Sequence, residues 1–219
     1  MKNKQTSPPY NILVIGANGG IGRQSVELAL KQGHHVTAVL RNPANLILTH
    51  PNLEIVKGDI MHPESLKRYL ENTDVIISAI GKNSLKPTTL YSDGNRNLLN
   101  LMKEAGIRRV FFISAAGIDV SPGQSLFVRL ATKYILQKLL RNMYADIRAM
   151  EKIVKASDLN WTIVRPPRLT DKPSTGRYRF AINKFLKNCL TISRADVAHF
   201  MINNINNEAA YKKTIEVAY

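Results

Sequence analysis

Short apolar runs alternate along the chain with segments of helical spacing. Ile12 to Ile15, Val36 to Leu40, Leu53 to Val56, Val75 to Ile80, Val110 to Ser114 and Trp161 to Val164 are rich in β-branched and aromatic residues and read as strands. Between them, Ile21 to Gln32, Pro63 to Glu71, Leu90 to Ala105 and Leu126 to Ala156 read as helices, the last broken near Asn142. Strands that are apolar at nearly every position are buried on both faces, as in a parallel sheet covered by helices. The alternation therefore predicts an α/β fold, a doubly wound parallel sheet in a single domain over residues 11–219, after a lead-in over residues 1–10. Beyond Pro166-Pro167 the alternation loosens. Thr170 to Gly176 reads as loop, Arg177 to Ala181 and Ile215 to Val217 as short strands, and Ser193 to Asn204 as a helix. That region is expected to form a small cap over the carboxyl edge of the sheet, where ligands bind in such folds.

Composition narrows the chemistry. The 219 residues are 44% apolar, enough for a core and too many for a disordered chain. The single cysteine, Cys189, excludes an intramolecular disulfide and a cysteine-based zinc cluster, and the five scattered histidines offer no paired spacing on one helix. No metal is expected. The apolar run at Ile12 to Ile15 is too short for a signal-peptide core, and no stretch approaches the ~20 apolar residues that span a bilayer. The expected location is the cytoplasm.

Asn11-Ile12-Leu13-Val14-Ile15-Gly16-Ala17-Asn18-Gly19-Gly20-Ile21-Gly22 carries the strongest chemical signal. Glycines at 16, 19 and 22, between the first expected strand and the first helix, allow a sharp turn, a close approach of backbone N–H groups to a diphosphate, and tight packing of helix on sheet. The following helix N-terminus adds free amides and partial positive charge. Gly16, Asn18, Gly19, Gly20, Ile21 and Gly22 are thus candidate cofactor-binding residues in a Rossmann-like domain. A carboxylate about 20 residues beyond the first glycine would bind the ribose 2′-hydroxyl of NAD. The second strand instead ends in Arg41 without an acid, so NADP(H) is expected, with Arg41 on the 2′-phosphate.

The G-x-x-G-x-x-G spacing resembles the short-chain dehydrogenase/reductase superfamily, particularly its atypical members. The runs Tyr144 to Glu151 and Arg165-Pro166-Pro167-Arg168-Leu169-Thr170-Asp171-Lys172-Pro173-Ser174-Thr175-Gly176 are similar to the atypical NAD(P)H-binding group that includes biliverdin reductase B, a flavin reductase, and NmrA-like proteins. The resemblance implies that Asp59 and Ile60 border the adenine, that Ala79, Ile80 and Gly81 flank the adenosine ribose, and that Pro167, Arg168 and Leu169 lie beside the nicotinamide. It implies that Ser114 is both a cofactor-binding residue and the catalytic one that orients a substrate carbonyl there. The superfamily's Tyr-x-x-x-Lys pair is matched in spacing by Tyr134 and Lys138, but Tyr134 falls on an apolar stripe with Phe127, Leu130 and Ala131 and is expected to be a core or edge tyrosine. Tyr144, four residues before Arg148, is the other candidate catalytic residue.

The resemblance implies a slow, broad-specificity NADPH-dependent reductase that passes a hydride to a small conjugated acceptor such as a flavin, quinone or tetrapyrrole, for which solvent can supply the proton. The competing class is a non-catalytic NADP(H)-binding redox sensor of the NmrA-like type. Lys plus Arg exceed Asp plus Glu, 31 against 16, for a net charge of +15. The charges are dispersed without a nucleic-acid motif, so no nucleic-acid partner is expected. Arg165, Arg168, Lys172, Arg177 and Arg179 gather near the expected cofactor mouth, where they would attract an anionic acceptor. The basic amphipathic stretch Leu126 to Arg141 has the composition of a membrane-surface helix, but a doubly wound sheet needs covering helices, and that reading is taken: its apolar side covers the sheet and no membrane partner is expected. The sequence assigns no oligomeric state.

Overall fold

The computed structural model describes residues 8–81 and 85–219. Residues 1–7 of the expected lead-in lie outside the described residues. Strands β1 (Asn11–Ile15), β2 (His35–Leu40), β3 (Leu53–Lys57), β4 (Val75–Ser78), β5 (Arg109–Ile113), β6 (Asn160–Arg165), β8 (Arg179–Ile182) and β10 (Lys213–Ala218) form one sheet in the order β3-β2-β1-β4-β5-β6-β10-β8. All pairings are parallel except β10 with β8. The strand order reverses direction at β1 and β4, the switch point outside which open α/β sheets bind ligands. Two further strands, β7 (Arg168–Thr170) and β9 (Thr191–Ser193), pair with each other.

Side-chain alternation divides the core in two. Ile12, Val14, Val36, Ala38, Ile77, Phe111, Val164 and Ile215 pack under helices α1 (Gly20–Lys31) and α6 (Arg194–Ile202). Leu13, Ile15, Ile76, Val110, Phe112, Trp161 and Ile163 point the other way, against α2 (Ser92–Ala105) and α5 (Arg141–Lys155). No helix among the described residues is long and apolar enough to cross a membrane. Nor does any group of three or more His, Cys, Asp or Glu among them come together as metal ligands.

Several expected elements differ. Residues 63–71 form two 3-10 turns, Pro63–Ser65 and Lys67–Tyr69, instead of a helix. The Ser65 hydroxyl donates to the His62 carbonyl and accepts from the Asp59 amide, so a side chain takes the bonds an α-helical ladder would need. β4 stops at Ser78, two residues short of the expected end, and the Ala79 carbonyl lies against Gly16. Thr170, expected as loop, belongs to β7.

The largest correction concerns residues 126–140. They form α3 (Leu126–Ala131), a π-helical turn (Thr132–Leu136) and α4 (Gln137–Leu139), ending at Leu140 where the backbone leaves helical geometry, close to the expected break. None of these residues is buried in the way a sheet-covering helix requires. Tyr134 is 60% exposed, neither core nor edge.

The cap is held by one carboxylate. Asp196, fully buried on α6, accepts bonds from the Ser174 hydroxyl (2.6 Å), the Thr175 hydroxyl (2.9 Å), the Gly176 amide (2.9 Å) and the Tyr219 hydroxyl (2.7 Å), tying loop and C-terminus to the helix. Burial opposes its ionisation, but the hydroxyl and amide donors outweigh that and hold its pKa well below the usual carboxylate range. A depressed pKa contributes stability that is present above the unfolded value near 4 and is lost as pH falls through the folded value. Asp196→Asn should lower the unfolding free energy at neutral pH by about 2 kcal/mol in urea titrations, with the gap to wild type closing only below about pH 4. An unchanged urea midpoint would refute this role.

Candidate functional site

The turn from β1 into α1 is shaped by missing side chains. Gly16 has φ +80°, and a Cβ there would lie 2.6 Å from the Ala79 carbonyl oxygen at the end of β4. A Cβ on Gly22 would strike the Gly16 carbonyl oxygen. The Gly19 amide closes the turn on that same oxygen at 2.9 Å. Gly19 is the N-cap of α1 and brings no side-chain oxygen, and no acid lies in the first turn. The first-turn amides therefore lack intrahelical acceptors and face an exposed edge at Asn18, Gly19 and Gly20. This cradle fits a diphosphate: donors, helix-dipole charge and room for close approach coincide.

A basic residue that the sequence reading missed completes it. The Arg194 side chain, from the first residue of α6, crosses Gly20 so closely that a Cβ there would collide with it. Arg194 pairs with Asp171 at 2.7 Å, an exposed carboxylate. Only the packing of α6 on α1 brings Arg194 there, and no local sequence signal marks it.

At the ends of β2 and β3, a cavity of about 560 Å³ is lined by Arg41, Lys57, Gly58, Asp59, His62, Glu64, Ser65 and Arg68. Arg41 is exposed at its rim. Lys57 and Arg68, not singled out in the sequence, bring two further cations to it, against the carboxylates of Asp59 and Glu64. Asp59 is spent partly on structure, accepting from the Met61 amide at 2.9 Å. The Ile60 side chain is buried against Gly94 of α2, and its carbonyl accepts from the Asn97 side-chain amide. Ala79 and Ile80 are half-buried beside the glycine turn, and Gly81 is exposed.

At the chemical end, Ser114 follows β5 and its amide still donates to Val164 at 2.8 Å. Its hydroxyl donates to Glu151 Oε1 at 2.7 Å. Glu151, 3% exposed on α5, also receives Lys155 Nζ at 2.7 Å and the Arg165 guanidinium at 2.7 and 2.6 Å. Arg165 reaches Asp119 at 2.8 Å. Burial would raise the Glu151 pKa, but the bonds and charge of Arg165, with Lys155 and Ser114, bring it below the ordinary value, so the carboxylate stays ionised. The expected anion-attracting cluster is thereby corrected. Arg165 is committed to carboxylates, and Arg179 to the carbonyls of Lys187 and Tyr219, while Arg168, Lys172 and Arg177 remain exposed. Pro167 and Leu169 are half-buried on either side of Arg168.

Tyr144 is buried among Ile147, Met150 and Phe112, with its hydroxyl against Gly117, where a Cβ would come within 2.6 Å. Burial raises its pKa, and the Arg148 charge only partly opposes this. Arg148 itself bonds the Ile118 carbonyl. Glu151 and Arg165 had a readable signal: an acid on the apolar face of α5 after Tyr144, Ile147 and Met150, and an arginine in register with Trp161 and Ile163 on β6.

The NAD(P)H-binding family model matches residues 16–208. The photosystem II assembly factor Ycf39 of Synechocystis is 35% identical over 107 residues, 47% of this chain and 33% of that protein, so the chain spans about a third of that relative's length. Among solved structures, a short-chain dehydrogenase/reductase of Veillonella parvula in complex with NADP has a TM-score of 0.77 at 20% identity, covering 96% of this chain and 94% of that one. An anaerobilin reductase of Escherichia coli O157:H7 has a TM-score of 0.75 at 23% identity, covering 95% and 96%. Both share the fold. With the glycine cradle at the switch point and a family match that runs from that cradle to residue 208, this chain belongs to the NAD(P)H-binding family and has its Rossmann-like fold.

Proposed function

We propose that the protein is an NADPH-dependent reductase acting on a small conjugated acceptor. The observation that carries this reading is the union of the glycine cradle with the basic cavity at Arg41. Gly19 to Gly22 amides and Arg194 would hold the diphosphate, and Arg41, with Arg68 and Lys57 near it, the 2′-phosphate. Asp59, Ile60, Ala79, Ile80 and Gly81 would border the adenosine, and Pro167, Arg168 and Leu169 the nicotinamide. Bound there, the coenzyme would supply a hydride.

The chain's own residues have a restricted part in the chemistry. The single Ser114 proton is given to Glu151, so Ser114 offers an acceptor its lone pairs, and donates only if that bond is released. Tyr144 keeps its proton at neutral pH and is too buried to exchange it freely. An acceptor whose reduced form takes its proton from solvent suits this edge, as a flavin, quinone or tetrapyrrole would; one solved structure with the same fold is an anaerobilin reductase. The same scarcity of a free acid favours a second reading, a redox sensor that binds the coenzyme without turnover.

Three measurements test these assignments. In fluorescence titrations NADPH should bind more tightly than NADH; Arg41→Ala should weaken NADPH about 30-fold and leave NADH within about twofold, whereas Arg194→Ala should weaken both alike. Equal affinity for the two coenzymes in wild type refutes the NADP(H) preference. Gly22→Ala should abolish binding of either coenzyme and lower stability by about 2 kcal/mol, because its Cβ meets backbone. With flavins and quinones as acceptors, Ser114→Ala should lower kcat about tenfold at unchanged coenzyme affinity if the hydroxyl turns from Glu151 to the acceptor during turnover, and an unchanged kcat would remove Ser114 from the chemistry. Coenzyme binding with no acceptor reduced would favour the sensor.

A further inference from the structure

The segment from Ser125 to Arg141 is amphipathic with its apolar side facing outward. Phe127 is 80% exposed, and Leu126, Tyr134, Ile135 and Leu139 exceed half exposure; Leu130, at 46%, is the least exposed of the stripe. The inner side is made by Val128, Thr132 and Gln137, which are half-buried, with Gln137 Nε2 donating to the Gly117 and Ile118 carbonyls at 3.2 and 2.9 Å. The π turn aligns the stripe. The Gln137 amide bonds Thr132, five residues back, and a turn with one extra residue puts i and i+5 on one face. Ile135 then follows Leu130, and Leu139 follows Tyr134. In an uninterrupted α-helix, Ile135 and Leu139 would rotate toward the inner side and Gln137 away from Gly117.

Charge identifies the occupant. Arg129, Lys133, Lys138 and Arg141 are exposed along the same segment, with no acid between Asp119 and Asp146. None of the four pairs with a carboxylate among the described residues. A second copy of the chain would bring the same cations and another +15 against them. A surface with an apolar interior and an anionic, hydrated skin matches both features at once: apolar side chains enter the acyl boundary while lysine and arginine stems reach the headgroups. We propose that residues 125–141 dock the protein on an anionic lipid surface.

The docking would bring a specific part of the molecule to the membrane. Gln137 and Leu136 rest on the 3-10 turn Ala116–Ile118, which leaves the sheet just after Ser114. The segment thus lies against the carboxyl-edge loop of β5, while the exposed basic rim at Arg41 belongs to the other half of the sheet.

Vesicle flotation tests the proposal without reference to coenzyme or turnover. The full chain should float with phosphatidylcholine vesicles containing phosphatidylglycerol, bind pure phosphatidylcholine far less, and be released by high salt. Replacing Phe127, Leu130 and Ile135 together by Ser should reduce partitioning at least about tenfold while thermal unfolding stays within error, since those side chains are exposed. As a second variant, Phe127→Trp keeps the apolar face, and its emission should shift to the blue on addition of anionic vesicles over the constant signal of buried Trp161. No flotation of wild type with anionic vesicles, equal flotation of the triple variant, or an unshifted emission of the Phe127→Trp variant would each overturn the proposal. So would a wild-type dimer in light scattering that the triple variant converts to monomer, because the face would then belong to a second copy.

Discussion

The approach of α1 to β1 depends on two absent side chains. With a Cβ at position 22 the helix could not reach the Gly16 carbonyl oxygen, and with one at position 16 the turn could not fit under Ala79. Both collisions are with backbone, so neither neighbour can rotate away. The consequences run outward. The helix starts at the sheet's edge, its free amides point at the switch point, α6 can pack on α1, and Arg194 arrives over Gly20 because Gly20 also lacks a side chain. One steric constraint thus sets both the architecture and the anion-binding capacity of this edge.

The second organising element is ionic and buried. Glu151 has nearly all of its oxygen valence filled by Arg165, Lys155 and Ser114, which suits a charge placed in low dielectric. Removing Arg165 would leave a buried carboxylate facing one lysine and one hydroxyl, a loss of about 3–5 kcal/mol by the usual cost of breaking such a pair. The network joins α5, β5, β6 and the loop at Asp119, and so fixes the carboxyl edge rigidly. Rigidity there limits chemistry: a serine already donating to a carboxylate is a poor donor to anything else, and this separates the chain from reductases that rely on a free serine–tyrosine pair.

The centre of the sheet was legible because β1, β4 and β5 are short runs, apolar at nearly every position and rich in β-branched and aromatic residues, too brief for a buried helix. The glycine turn was legible because its requirement is local and steric. Residues 63–71 were misread because the hydroxyl of Ser65 competes for backbone groups, an effect that periodicity does not carry. Residues 126–139 were misread for a different reason. The apolar stripe is real, but amphipathicity gives no sign of which way a helix faces, and the general need for covering helices supplied the wrong direction. Glu151 and Arg165 were quoted only within a family-like run and a basic cluster, although each breaks the apolar period of its element, which is the mark of a buried pair. Arg194 could not have been found, since it acts across a contact between the two ends of the chain.

That contact links the cap to the diphosphate cradle. Asp196 on α6 fastens the loop at Ser174 to Gly176, and Asp171, a few residues earlier on that loop, holds Arg194 at the start of the same helix. The two carboxylates differ in kind. Asp196 is fully buried and saturated with donors, whereas Asp171 is 88% exposed and forms a surface pair of the sort worth at most about 1 kcal/mol. A diphosphate resting on the α1 amides presents more charge, closer to desolvated donors, than an exposed aspartate can. Arg194 would therefore exchange Asp171 for the diphosphate at little cost, while Asp196 keeps α6 and the loop in place during the exchange. In the proposed coenzyme complex this loop would be released from one anchor and retained by the other, so coenzyme binding would adjust the cap without unfolding it.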